Sequence, residues 1–224
     1  MVEKDLSLYH GTDHLDGNQI QIRSNIGIGS NDLTLGNGFY TTTSKEIALF
    51  YSHVMMREKL FHLGHDPEKA LTGKVYNVSL AKDLYLLRET DKLDVGAAVS
   101  AMKHAGIQIS DINMLTRSEL ASFPAVVDFI EIGGFQSMNA KEYLTRSMGF
   151  DGLFFVQKPY LPLYLEADHI GVNWERCWNN WCVSAPATVV IYNTEKICSV
   201  ERVHDGGQSG LIQLPKALGG NLDR

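Results

Sequence analysis

Two short β-runs, each marked by glycine, constrain this chain more than any other feature. Leu6-Ser7-Leu8-Tyr9-His10 runs into Gly11-Thr12, and Gly36-Asn37-Gly38 opens Phe39-Tyr40-Thr41-Thr42-Thr43. Residues 11–37 between them are dense in Gly, Asn and Asp, which turn a chain rather than extend it. Ile20-Gln21-Ile22 allows a short strand inside that stretch, and 24–37 reads as a loop. Ser44 is an N-cap residue type, and Ile47, Ala48, Tyr51, Val54 and Met55 recur at helical spacing. They predict a helix running to about Leu63, with Gly64 as its stop.

The rest of the pattern fills in an α+β chain. Lys74–Leu80 alternates as a strand, and Leu84–Leu87 extends it or begins another. Residues from about 92 to 149 read as helical, over Val95–His104, Arg117–Ile132 and Asn139–Met148, closed by Gly149. Gly152–Val156 and Ala187–Tyr192 are buried-strand runs. Residues 157–186 hold Pro159, Pro162, Pro186 and all three tryptophans, and read as a long aromatic loop. The sum is a mixed or antiparallel sheet with a helical insertion, not βαβ alternation. One domain is expected over 1–204, followed by a loose Gly-rich tail over 205–224.

Charge and cysteine usage narrow the class. With 44% hydrophobic residues in 224, a sizeable core is expected. The net charge of −6 disfavours a nucleic-acid partner. No apolar run approaches a membrane span, and the first residues lack the apolar core of a secretory signal. Three cysteines, Cys177, Cys182 and Cys198, are an odd, low count that fits a reducing compartment such as the cytoplasm. Cys177 and Cys182 near His169 lack the spacing and the fourth ligand of a zinc site, so no metal is expected.

Candidate chemistry gathers at the two glycine-marked runs. A ring nitrogen of His10 can bond a ribose hydroxyl, and the Gly11 backbone can pair with a carboxamide. His10, Tyr40 and Tyr51 together offer rings to hold a flat aromatic amide. Gly36-x-Gly38 can equally be an ordinary hairpin turn. The third glycine of a dinucleotide fingerprint is missing, and so is the Gly-x-Ser-x-Gly elbow of serine hydrolases. Trp174, Trp178 and Trp181 offer anchors for a protein partner or a cap on the core. The Lys/Glu clusters at 57–69 and 88–94 read as solvated helix faces.

Taken jointly, these segments resemble the ADP-ribosyltransferase superfamily, in its diphtheria-toxin and poly(ADP-ribose)-polymerase-like branch. That branch has a His–Tyr–Glu signature. Its first strand carries His-Gly-Ser/Thr, matched by His10-Gly11-Thr12. Its second element is Gly-x-Gly-Φ-Tyr running into a helix, matched by Gly36 to Tyr40 and then Ser44 to Tyr51. Nicotinamide stacks between that tyrosine and a second one eleven residues later, the spacing of Tyr40 and Tyr51. Met148-Gly149-Phe150-Asp151-Gly152 is similar to the family's GYDG strand. Val189-Val190-Ile191-Tyr192-Asn193 is similar to its last motif strand. The block from about 92 to 140 matches no motif.

The resemblance implies NAD as co-substrate, bound by His10, Gly11, Thr12, Gly38, Tyr40 and Tyr51. It also implies mono-ADP-ribosylation of a macromolecule, a protein first, with release of nicotinamide. The biology implied is that of a bacterial toxin or effector, cytosolic or exported without a cleavable signal. The chain departs from the family where the catalytic Glu is expected: Thr188 stands there, and no carboxylate lies between Arg176 and Tyr192. Three consequences stay open. Transfer can proceed without the Glu, a carboxylate such as Glu166 or Glu175 can substitute, or the domain binds NAD and does no chemistry. An NAD glycohydrolase toxin is a further alternative. RNA 2′-phosphotransferase chemistry is disfavoured because neither glycine-marked segment carries an Arg.

Overall fold

The computed structural model describes residues 6–12, 38–69, 73–104, 106–132, 140–156 and 186–204. Strands β1 (Leu8–Thr12), β2 (Phe39–Thr42), β3 (Lys74–Leu80), β4 (Leu86–Arg88), β5 (Gly152–Val156), β6 (Ala187–Ile191) and β7 (Ile197–His204) form one seven-stranded sheet. Their order across it is β4-β5-β6-β2-β1-β3-β7. Helix α1 (Lys45–His62) follows β2. Helices α2 (Val95–His104), α3 (Ile109–Ile112), α4 (Arg117–Leu120), α5 (Phe123–Ile132) and α6 (Ala140–Ser147) separate β4 from β5 in sequence. Only β4 and β5 run parallel, which a crossover of that length permits; the other neighbours are antiparallel. This is an α+β architecture on a mixed sheet.

The sheet has an apolar cluster on each face. On one, Leu87, Leu153 and Val190 pack with Met102, Phe123, Val126, Ile130 and Leu144 from the helical block. On the other, Leu8, Phe39, Val78, Val189 and Ile191 form a second cluster. Every residue of β6 is buried, as a strand covered on both faces must be.

Local sequence explains the element ends. Ser44 Oγ accepts from Ile47 N at 3.3 Å, the N-cap of α1. Gly149 has φ +81°, and Phe150 N and Gly149 N donate to Thr145 O and Arg146 O. That paired closure is a Schellman turn, which ends α6. Asp151 then ties three strands at their ends. Its carboxylate accepts from Tyr85 N at 3.0 Å and Asn193 Nδ2 at 2.8 Å, and its carbonyl from Tyr192 N at 2.9 Å.

Several sequence expectations are corrected. The helix expected over Arg117–Ile132 is two helices, α4 and α5. Pro124 has no N–H for the Leu120 carbonyl and its ring would strike that carbonyl, so the chain breaks at Ala121–Ser122. The break is used: Leu93 N donates to the freed Ala121 carbonyl at 3.1 Å. The short helix α3 and the strand β7 were not expected. Residues 89–94 are a turn followed by a single antiparallel bridge, Lys92↔Ser122, rather than a helix face. The expected strand at Ile20–Ile22, the loop through Gly36 and Asn37, and the aromatic loop with Glu166, His169, Glu175, Cys177, Cys182 and the tryptophans lie outside the described residues. So does the tail from 205 onward.

Candidate active site

The two glycine-marked segments become neighbouring antiparallel strands, but they barely join. Among the described residues, Tyr9↔Thr42 is the one ladder pair between β1 and β2. By contrast, β1 meets β3 over five pairs, from Leu8↔Val78 to Thr12↔Lys74. Where the ladder stops, a side chain takes over. His10 Nδ1 lies 2.7 Å from the carbonyl oxygen of Tyr40. A carbonyl only accepts, so Nδ1 carries the hydrogen in this bond. The His10 ring therefore bridges the seam between β1 and β2 beside Gly11.

The faces separate the candidate residues. The His10 ring packs on Phe39 at 4.4 Å between centroids, on the face of the Leu8 cluster. Tyr40 packs against the cluster of the helical block, on the opposite face. His10 and Tyr40 thus meet through a ring nitrogen and a backbone carbonyl at the seam, not ring to ring. Tyr51 lies on α1, which rests on β1 and also touches β2 and β3.

Gly11 is explained by that helix. A Cβ at Gly11 would run into the Ala48 carbonyl group and come within 3.0 Å of Ser52 N, so α1 approaches β1 backbone to backbone. The close approach expected at Gly11 is thus made, on this face, by the chain's own helix. Gly38 is similar. A Cβ there would collide with the Val190 side chain and lie 2.9 Å from the Tyr192 ring. Thr12, the third residue of the first motif, is buried at the end of β1.

Thr188 pairs with Thr42 on one side and Phe155 on the other. It shares a face with Val190, and Val190 pairs with Tyr40. Thr188 is 9% exposed and brings a hydroxyl but no charge to this face. Thr41 of β2 and Thr43 just after it bind β6 through their hydroxyls. Thr41 Oγ1 donates to Val189 O at 2.9 Å, and Thr43 Oγ1 accepts from Ala187 N at 2.9 Å. The face carrying Tyr40 and Thr188 is therefore fixed.

A polar group next to Tyr40 was not singled out from sequence. Tyr192, 2% exposed, lies just past β6 on the Tyr40 side. Arg146 on α6 donates through Nη2 to its carbonyl at 2.9 Å and stands over its ring, Cζ 5.7 Å from the centroid. Glu142, one turn earlier and buried, pairs with Arg146 Nε at 3.0 Å. Burial above all pushes the Tyr192 phenol well above its ordinary range. Nearby Tyr40 and Glu142 add to the shift and Arg146 opposes it. The i,i+4 pair Glu142/Arg146 was visible in the sequence; its closeness to Tyr40 depends on the sheet order.

Among the described residues, no group of three His, Cys, Asp or Glu side chains is placed to hold a metal ion. No helix among them is long and apolar enough to cross a membrane. Comparisons with protein-family models, curated proteins and solved structures find no match to this chain.

Proposed function

We propose that this chain is an NAD-dependent mono-ADP-ribosyltransferase that modifies a macromolecule, a protein first, and releases nicotinamide. The reading is carried by one observation. His10-Gly11-Thr12 and Gly38-Phe39-Tyr40, distant in sequence, meet at a seam held by one ladder pair and by the His10–Tyr40 hydrogen bond. A seam of this kind offers strand edges to a planar amide, with the His10 imidazole on one face of the sheet and the Tyr40 ring on the other.

In the reaction, the bond between ribose C1′ and the nicotinamide nitrogen breaks. Nicotinamide leaves with the bonding electrons, and positive charge develops at C1′. A nucleophile of the target attacks C1′ and gives up its proton. The chain's share is orientation: Tyr40 and Tyr51 hold the leaving group, and His10 fixes the ribose. Thr188 contributes at most a hydroxyl contact, so activation of the acceptor falls to the target or to a carboxylate outside the described residues, such as Glu166 or Glu175. Chain elongation is not expected. The proposed setting is a cytosolic enzyme or an effector delivered into a host cell.

A second reading has its own support. Thr188, buried and uncharged where a carboxylate is expected, favours a module that binds NAD without turning it over.

Labelled NAD tests both. The purified protein is incubated with it, with and without a eukaryotic cell lysate, while nicotinamide release and label on macromolecules are followed. Label on a discrete protein is expected, and its loss in Tyr40→Ala and His10→Ala, each folded by circular dichroism. Nicotinamide release without label would make the protein a glycohydrolase. NAD binding with neither signal would make it a silent module. Near-parent rates in both folded variants would remove His10 and Tyr40 from the site.

A further inference from the structure

We infer that Tyr192, held by Arg146 and Glu142 of the helical block, is a positioning residue that sets the Tyr40 ring for the nicotinamide end of its ligand. The inference rests on the reading above for what Tyr40 binds, but its geometry stands alone. The Tyr192 ring lies against Gly38, leaving no room there for a side chain. Gly38 is two residues before Tyr40, so both present the same face of the chain. Tyr40 pairs with Val190, two residues before Tyr192, and packs into the cluster that contains both.

Tyr192 is in turn fixed from outside the sheet. The Arg146 guanidinium donates one N–H to the Tyr192 carbonyl and another to the Glu142 carboxylate, while standing over the Tyr192 ring. A planar fork can serve all three contacts at once; a lysine cannot. The backbone N–H of Tyr192 is held by Asp151 O at 2.9 Å. Glu142, Arg146, Tyr192 and Gly38 therefore form a continuous line of contacts from α6 to the strand that carries Tyr40. This gives the helical block, which carries no motif of its own, a part in the site.

The role belongs to the Tyr192 ring. Tyr192→Phe keeps the ring and should keep KM for NAD close to the parent value. Tyr192→Leu should raise KM for NAD by roughly tenfold in the nicotinamide-release assay, because a displaced Tyr40 weakens stacking. A merely structural role would reduce the amount of active enzyme and leave KM unchanged. In a Tyr40→Ala background, Tyr192→Leu should add nothing to KM, since both act through one ring. Should Tyr192→Leu not fold, Arg146→Lys is read in the same way: it keeps a cation beside Glu142 and loses the fork.

An unchanged KM, equal damage from Phe and Leu, or additive effects with Tyr40→Ala would overturn the role. A parent that releases no nicotinamide would defeat the activity but not this inference, which is then decided by fluorine NMR. In protein carrying 3-fluorotyrosine, the Tyr40 resonance, assigned through Tyr40→Phe, should move in Tyr192→Leu and stay in Tyr192→Phe. A Tyr40 resonance that ignores Tyr192→Leu would overturn it.

Discussion

Gly11 carries the sharpest expectation at the scale of a single residue. A methyl group there would overlap the Ala48 carbonyl and crowd Ser52 N, and both belong to helix backbone that cannot swing aside. Gly11→Ala must lift α1 from β1, at a cost of about 3 kcal/mol or more. Gly64→Ala is the control. Its φ is +73°, but an added Cβ meets nothing within 4 Å, so only backbone strain of about 1 kcal/mol is expected. Urea unfolding of the two variants measures the difference, and equal losses would mean that α1 does not depend on Gly11. The sequence made Gly11, His10 and Tyr40 conspicuous, and their types were readable as polar and aromatic contacts. What approaches Gly11, and that His10 and Tyr40 use opposite faces, follows from pairings that no local pattern encodes.

Among the elements, those with an unbroken period and a clear stop were legible. The strand Lys74–Leu80, the helix Val95–His104 and the strand Gly152–Val156 have the bounds read from the sequence. Strand β7 was not legible because its ladder with β3 shifts register between Val75 and Tyr76 and again between Ser79 and Leu80. Each shift interrupts the alternation that marks a strand. The α4/α5 break was signalled by Pro124 but masked by the apolar run around it. The Met148-to-Gly152 motif, conspicuous for its resemblance, has a local task as well. Asp151 joins the starts of β4 and β5 to the end of β6. Asp151→Ala should cost about 1–3 kcal/mol, because Tyr85 N loses a carboxylate acceptor. Asp151→Asn should recover part of that loss, because its side-chain oxygen still accepts. Thermal melts of the two would decide it, and an Ala variant as stable as the parent would show that solvent replaces the knot.

For the whole molecule, sheet order is the decisive fact, and it was the least legible. The α+β class followed from the absence of βαβ alternation. The insertion of β6 between β5 and β2 did not, because it joins residues far apart in the chain. That insertion is what buries Tyr192 between the helical block and the strand of Tyr40. Its phenol pKa is raised, first by burial and then by Tyr40 and Glu142, from an ordinary value of 10.0. The fold therefore prefers the neutral phenol. Its contribution to stability is fully present below about pH 10 and is lost as pH rises beyond, where the unfolded chain ionises this group and the folded chain does not. Absorbance at 295 nm should show Tyr192 ionising together with unfolding rather than with the exposed tyrosines. Tyr192→Phe has no phenol to ionise, so its alkaline unfolding midpoint should move to higher pH relative to its stability at neutral pH. A Tyr192 that titrates near pH 10 in the folded protein would mean that the packing of the helical block against the sheet opens to solvent, and the platform for Tyr40 would open with it.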